Sequence, residues 1–178
     1  MKHFVKYIPG FVDSKDLAEI VSYARENLLD GFTEFGNEQK EFTVHTFQKQ
    51  TVEASAIREK LTSYGRRVYE ICVKEYGGDW KGFDEGLTHI AKFEAGYGMH
   101  EHFDSSKPND IATLIYLNDD YEGGQIYFPD LGLEYKPKAG DLVMFPDNPQ
   151  FVHGVKPIIS GTRFTSPRWF TRSVQVGA

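Results

Sequence analysis

The sequence predicts an α+β fold that is mainly β, a sandwich or jelly-roll barrel with supporting helices on its N-terminal side. Three observations carry this reading. From residue 87 onward the chain breaks into seven or eight short apolar runs separated by Gly, Pro, Asn and Asp. The first 80 residues instead hold two segments whose apolar residues recur at three and four. Fourteen Phe, ten Tyr and two Trp supply core material, and seventeen Gly and eight Pro supply turns.

The 178 residues suit one domain spanning 1–178, with helical support over 1–80 and a barrel core over 87–171. No internal repeat or low-complexity linker interrupts it.

Phe4-Val5-Lys6-Tyr7-Ile8 reads as a strand that ends at Pro9-Gly10. Asp13-Ser14-Lys15-Asp16 starts a helix, with a capping side chain and an acid in the first turn. Leu17, Ile20, Val21 and Ala24 form its stripe, which fades near Asn27. Gly31 to Gln50 mixes polar residues with Phe; Glu34 to Lys40 reads as a loop and Glu41 to Phe47 as a strand. Val52 to Tyr76 is the longest helical pattern, with Ile57, Leu61, Tyr64, Val68 and Cys72 on one face and Gly77-Gly78 as its stop. Arg66, Arg67 and Lys74 make the other face basic and solvated. This helix is expected along the outside of a sheet.

The strands expected after it are Leu87 to Phe93, Ile111 to Leu117, Gln125 to Phe128, Leu133 to Tyr135, Leu142 to Phe145, Val152 to Val155 and Thr162 to Phe170. Ile111 to Leu117 is nearly continuous in apolar residues, as strands buried on both faces are.

A net charge of −6 argues against a protein that tracks phosphate backbones, so no nucleic-acid partner is expected. The single cysteine, Cys72, excludes an internal disulfide, suits a reducing compartment and falls on the helical stripe as a small core residue. The first residues lack the apolar run of a signal peptide, and no stretch reaches the length of a membrane span. A cytoplasmic location without membrane attachment is the expectation.

The chemistry centres on His102-Phe103-Asp104. Side chains alternate along a strand, so His102 and Asp104 face the same way. His153, brought from a distant strand, would complete a 2-His-1-carboxylate set that holds a divalent metal on one side and leaves the other open. His100 is the competing partner for His102, but only His102 has a carboxylate two residues on; His3, His45 and His89 lack such a setting and read as structural. Arg163 adds a second element. An iron oxygenase needs two electrons beyond those of the substrate C–H bond. A 2-oxo acid supplies them by oxidative decarboxylation, and its distal carboxylate suits a guanidinium fork. Thr165 shares the face of Arg163 and offers a hydroxyl; Trp169 shares it too, as a pocket wall or as plain core.

These residues lie in a wider pattern. His102-x-Asp104, Tyr116-Leu117-Asn118-Asp119, Glu122-Gly123-Gly124, Pro137 to Phe145, His153-Gly154-Val155 and Gly161-Thr162-Arg163-Phe164 resemble the prolyl 4-hydroxylase family of Fe(II)/2-oxoglutarate dioxygenases over roughly residues 87 to 171. The fold that the resemblance implies is a double-stranded β-helix (jelly-roll) with helices packed on one side. The catalytic metal ligands it implies are His102, Asp104 and His153. Arg163 would bind the C5 carboxylate of 2-oxoglutarate, and Tyr116 stands where some relatives place a hydroxyl on that carboxylate. Phe93 stands where many have tyrosine, which would remove one hydrogen bond. The cofactors implied are Fe(II) and the cosubstrate 2-oxoglutarate, with ascorbate as reductant.

The activity implied is hydroxylation of peptidyl proline coupled to decarboxylation of 2-oxoglutarate to succinate, with a proline-containing peptide or protein as partner. Hydroxylation of a free amino acid or other small molecule stays open beside it, as does a non-catalytic metal-binding barrel. Tyr97, Ser105 to Asp110, Arg168 and Gly31 to Gln50 are the candidate substrate contacts.

Overall fold

A computed structural model describes residues 4–27, 32–35, 42–47, 51–78, 80–81, 88–104 and 110–172. Among these residues two α-helices and fourteen strands follow in chain order: β1 Lys6–Ile8, α1 Ser14–Glu26, β2 Phe32–Phe35, β3 Phe42–His45, α2 Val52–Tyr76, β4 Trp80–Lys81, β5 Ile90–Phe93, β6 Met99–His102, β7 Asp110–Tyr116, β8 Glu122–Gly123, β9 Ile126–Phe128, β10 Leu133–Tyr135, β11 Leu142–Asp147, β12 His153–Val155, β13 Ile158–Ser160 and β14 Arg163–Arg172.

Local chemistry sets both helix starts. The Asp13 carboxylate accepts from the N–H groups of Lys15 (2.9 Å) and Asp16 (3.4 Å), and the Thr51 hydroxyl accepts from Ala54 N–H (3.0 Å). α2 ends at Gly77, whose φ of 70° no other residue adopts as readily. The helices are tied by Tyr64, whose hydroxyl donates to Asp16 (2.9 Å) and accepts from Asp13 N–H (3.0 Å), and by the Lys60–Asp16 ion pair.

The large sheet runs β1-β11-β7-β14-β5-β3-β2, with β4 added on β14. A smaller sheet, β10-β9-β12-β6, supplies the second layer, and β13 pairs with β8. Alternation sorts the large sheet's side chains. Ile111, Ile115, Met144, Phe164 and Phe170 pack with Ile20, Ala24, Leu61, Val68 and Cys72 of the helices. Ala112, Tyr116, Val143 and Phe145 pack instead with Ile126, Phe128 and Phe151. The expected support of a sheet by α2, and the core position of Cys72, are both found. Burial pushes the Cys72 thiol up to about 12, so it is inert at neutral pH.

Two readings change. The Glu34 to Lys40 stretch begins inside a strand, because β2 and β3 form an antiparallel hairpin that extends the large sheet beyond β5. β4, β6, β8 and β13 are not among the expected strands; each has two to four residues, too few for alternation to register. The start of the strand expected at Leu87 lies outside the described residues, as does most of Gly31 to Gln50.

The Pro137 to Asp141 turn is locked by Asp141. Its carboxylate accepts from the N–H groups of Gly10 (2.8 Å) and Lys138 (2.7 Å) and from the Tyr7 hydroxyl, fixing β1 to the edge of β11. Burial, with Asp141 as hydrogen-bond acceptor and neighbouring charge, pushes that phenol up to about 12.

Gly123 has φ of 76°, and a Cβ there would sit 2.2 Å from the Pro157 carbonyl oxygen. Gly123→Ala is therefore expected to destabilise the protein by at least roughly 1–3 kcal/mol from backbone strain alone, with the backbone clash added. Denaturant unfolding measures this; an unchanged midpoint would show that the turn relaxes freely.

Candidate active site

Between the two sheets lies a cavity of about 530 Å³. The large sheet contributes Phe93, Asp110, Ala112, Asp147, Arg163, Thr165 and Trp169; the small sheet contributes His102, His153 and Val155, with Asp104 just beyond β6. The volume suits a small ligand.

Two histidines meet because β12 and β6 are antiparallel neighbours in which His153 is the direct partner of His102. Their ring centroids are 4.5 Å apart. Asp104 comes from the same segment as His102, and ligand atoms of His102, Asp104 and His153 all lie within 4.8 Å of one another. His100 is exposed and outside this cluster, but its carbonyl oxygen lies 2.6 Å from His102 Nδ1. The Phe151 carbonyl likewise lies 3.1 Å from His153 Nδ1. A carbonyl only accepts, so each Nδ1 carries a proton, and in the neutral ring each Nε2 keeps a lone pair.

That lone pair supplies a test of fit. His102 Nε2 faces Asp104 Oδ1 at 3.2 Å. In the neutral imidazole these are two acceptors, which a proton or a cation between them reconciles; two imidazoles and a carboxylate this close suit a divalent metal. Phe145 and Phe128 pack on the His153 ring at 4.6 and 5.9 Å between centroids. Burial, reinforced by His102, drives the His153 imidazole down to about 4, which keeps it neutral and ready to ligate. Burial pulls the Asp104 carboxyl up, but contacts with His102 and Trp169 and the nearby His153 outweigh it and hold it below the usual carboxylate range.

Arg163 is fully buried. Its guanidinium stacks on Phe93 (4.7 Å) and Tyr116 (5.0 Å), and one N–H donates to the Tyr116 hydroxyl at 3.3 Å. Nε and Nη1 have no hydrogen-bond partner among the described residues. A buried cation with unused donors calls for an anion, and a carboxylate matches its fork. Asn118 holds the arginine's strand in place. Its side chain accepts from Phe164 N–H and donates to the Thr162 carbonyl oxygen, both at 2.7 Å. Gly124, with φ of 67°, leaves room where a Cβ would press on Tyr121 (2.9 Å) and on Arg163 Cδ (3.3 Å).

Thr165 and Trp169 line the cavity with Arg163, as alternation along β14 requires. Arg168 points to the opposite face, against α2, where it donates to the Leu61 carbonyl oxygen and to Thr88 Oγ1; it is no substrate contact, and the expectation fails on strand parity. Tyr97 packs beside Phe93, and Asp110 lines the cavity, while residues 105–109 lie outside the described ones. His89, read as structural, stacks on Trp169 at 6.0 Å, and His45 is buried against the Tyr23 hydroxyl at 2.8 Å. His3 lies outside the described residues.

Sequence reasoning missed Asp147 and Tyr121. Asp147 Oδ1 accepts from Asp104 N–H at 2.9 Å, a bond between the ends of two strands in different sheets that no local pattern signals. Burial pushes the Tyr121 phenol up to about 12, with Arg163 pulling the other way.

Residues 88–171 match the family model of the 2OG-Fe(II) oxygenase superfamily. Prolyl 3-hydroxylase 2 of Homo sapiens is 36% identical over 67 residues, which are 35% of this chain and 10% of that protein. The chain thus matches about a tenth of that relative's length. Two solved structures share the fold. A Trichoplax adhaerens prolyl hydroxylase, in complex with a hypoxia inducible factor oxygen degradation domain peptide fragment, superposes with TM-score 0.73 at 18% identity, covering 94% of this chain and 83% of that one. A Pseudomonas putida prolyl-4-hydroxylase gives 0.71 at 20% identity, covering 97% and 95%. Residues 88–171 therefore form a 2OG-Fe(II) oxygenase domain. The superfamily implies Fe(II) and 2-oxoglutarate, and the two prolyl hydroxylases share the fold.

His153 gives a pH signature to the metal-free protein. Its ordinary value of 6.5 falls to about 4 on folding, so the unfolded chain takes up a proton that the folded one does not. Stability is expected to fall as pH drops through that window, by up to about 3 kcal/mol. His153→Gln should flatten the dependence in denaturant titrations; an equally steep loss in that variant assigns the effect to another group.

Proposed function

We propose that this chain is an Fe(II)/2-oxoglutarate-dependent dioxygenase that hydroxylates peptidyl proline. The observation that carries the reading is one cavity holding both the His102, Asp104 and His153 cluster and a buried Arg163 with two unused groups. In this reading the two facing sheets are the double-stranded β-helix of the family, and ascorbate serves as reductant.

Iron would supply the oxidising chemistry, with dioxygen as oxidant and 2-oxoglutarate as the two-electron donor that leaves as succinate and carbon dioxide. The chain's own residues do the rest. His102 and His153 present unprotonated Nε2 atoms, set by their Nδ1 contacts to backbone carbonyls. Arg163, with Tyr116 beside it, is placed to fix the distal carboxylate of the cosubstrate. Phe93, Ala112 and Val155 keep the walls apolar and limit water. The names of the relatives, one of them solved with a peptide, favour proline in a peptide as the substrate.

The test adds Fe(II) and 2-oxoglutarate anaerobically, then oxygen and proline-containing peptides. Expected are a charge-transfer band abolished by His102→Ala and by Asp104→Ala, succinate release, and a gain of one oxygen on the peptide. Arg163→Met is expected to raise the KM for 2-oxoglutarate about 100-fold or more, from the loss of roughly 3 kcal/mol of charge-assisted hydrogen bonding. Reaction of free proline without reaction of any peptide would shift the assignment to a small-molecule hydroxylase. No band with the unsubstituted protein would point to a non-catalytic barrel.

A further inference from the structure

Asp104 is the one residue of the metal cluster that the strand ladder does not hold. His102 and His153 are cross-strand partners within the small sheet, whereas Asp104 follows the end of β6. Two contacts from the large sheet take over. Asp147, the last residue of β11, accepts from the Asp104 N–H at 2.9 Å. Trp169, on β14, donates its indole N–H to Asp104 Oδ2 at 2.6 Å. The other oxygen, Oδ1, faces His102 Nε2 at 3.2 Å. The indole is itself held flat by His89, stacked 6.0 Å away with an interplanar angle of 16°.

We propose that Trp169 is a positioning residue of the metal site: its indole N–H holds Asp104 Oδ2 and leaves Oδ1 as the single oxygen offered to the metal. The inference rests on the metal-site reading above. An untethered carboxylate rotates about its last bond and chelates through either or both oxygens. A donor on one oxygen selects the other and fixes the carboxylate plane before the metal arrives. With the bond from Asp147, it ties the segment that follows the small sheet's edge strand to the large sheet. Trp169 is 37% exposed, so its place is not explained by core packing alone.

The experiment measures Co(II) binding by titration and visible spectroscopy, without 2-oxoglutarate or substrate, in the unsubstituted chain and in Trp169→Phe. Phe keeps the stacked ring and removes only the donor. The expected result is about 10–100-fold weaker Co(II) binding and displaced ligand-field bands, with unchanged far-ultraviolet circular dichroism. Unchanged affinity and bands in Trp169→Phe overturn the inference while leaving the metal site standing. Failure of the unsubstituted chain to bind Co(II) overturns the metal site itself and this inference with it. If Trp169→Phe does not fold, Trp169→Leu, which also lacks a donor, is read by the same criteria.

Discussion

The constraint on which the rest depends is the parity of β14. This strand pairs with β7 over much of its length and with β5 and β4 at its two ends, and it is covered on both faces. Arg163, Thr165 and Trp169 face the cavity, while Phe164, Arg168 and Phe170 face the helices. A slip of one residue would exchange these sets, putting Arg168 into the cavity and Arg163 against α2. The slip is blocked from both sides. Phe164 and Phe170 fill the helix-side core, and Asn118 clamps the strand where it begins, on Phe164 N–H and the Thr162 carbonyl oxygen.

The metal cluster depends on a different relation, between the sheets. Register within the small sheet is enough to join His102 and His153. The carboxylate needs the large sheet, through Asp147 and Trp169. The distance between layers is therefore part of the ligand geometry. That distance is set by the packing of Phe128, Phe145 and Phe151 in the apolar layer, where Phe145 and Phe128 meet edge to face at 4.9 Å. Aromatic rings that look like ordinary core thus act as spacers for the site.

Much of this was legible in the sequence because alternation is a local rule. Arg163, Thr165 and Trp169 on one side follow from counting by two, whereas Asp104, expected beside His102 by the same count, lies past the end of β6 and is held there from the large sheet. The same count puts Arg168 on the face opposite Arg163, which is why the expected substrate contact there fails. Long helices were legible from their period and caps, whereas two-residue strands such as β4 and β8 were not, since their pairing is decided by neighbours distant in sequence. Asp147 was invisible for the same reason. Nothing in Phe145-Pro146-Asp147 announces that its carboxylate will meet the backbone of Asp104.

The two buried arginines of β14 show what separates a structural cation from a functional one. Both are at least nine-tenths buried. Arg168 donates to the Leu61 carbonyl oxygen at 3.2 Å and to Thr88 Oγ1 at 2.6 Å, and its guanidinium lies over Gly65, where a Cβ would be within 2.6 Å of it. Burial alone pulls it down to about 10, so it still carries its charge at neutral pH as a strut between helix and sheet. Arg163 is wedged between two aromatic faces and has a phenol hydroxyl as its hydrogen-bond acceptor, with Nε and Nη1 left over. A phenol is a poor substitute for a carboxylate, and leaving the donors of a fully buried guanidinium without acceptors costs stability. The position is therefore better suited to a bound anion than to stability, and an anion anchored there lies in the cavity that the metal cluster shares.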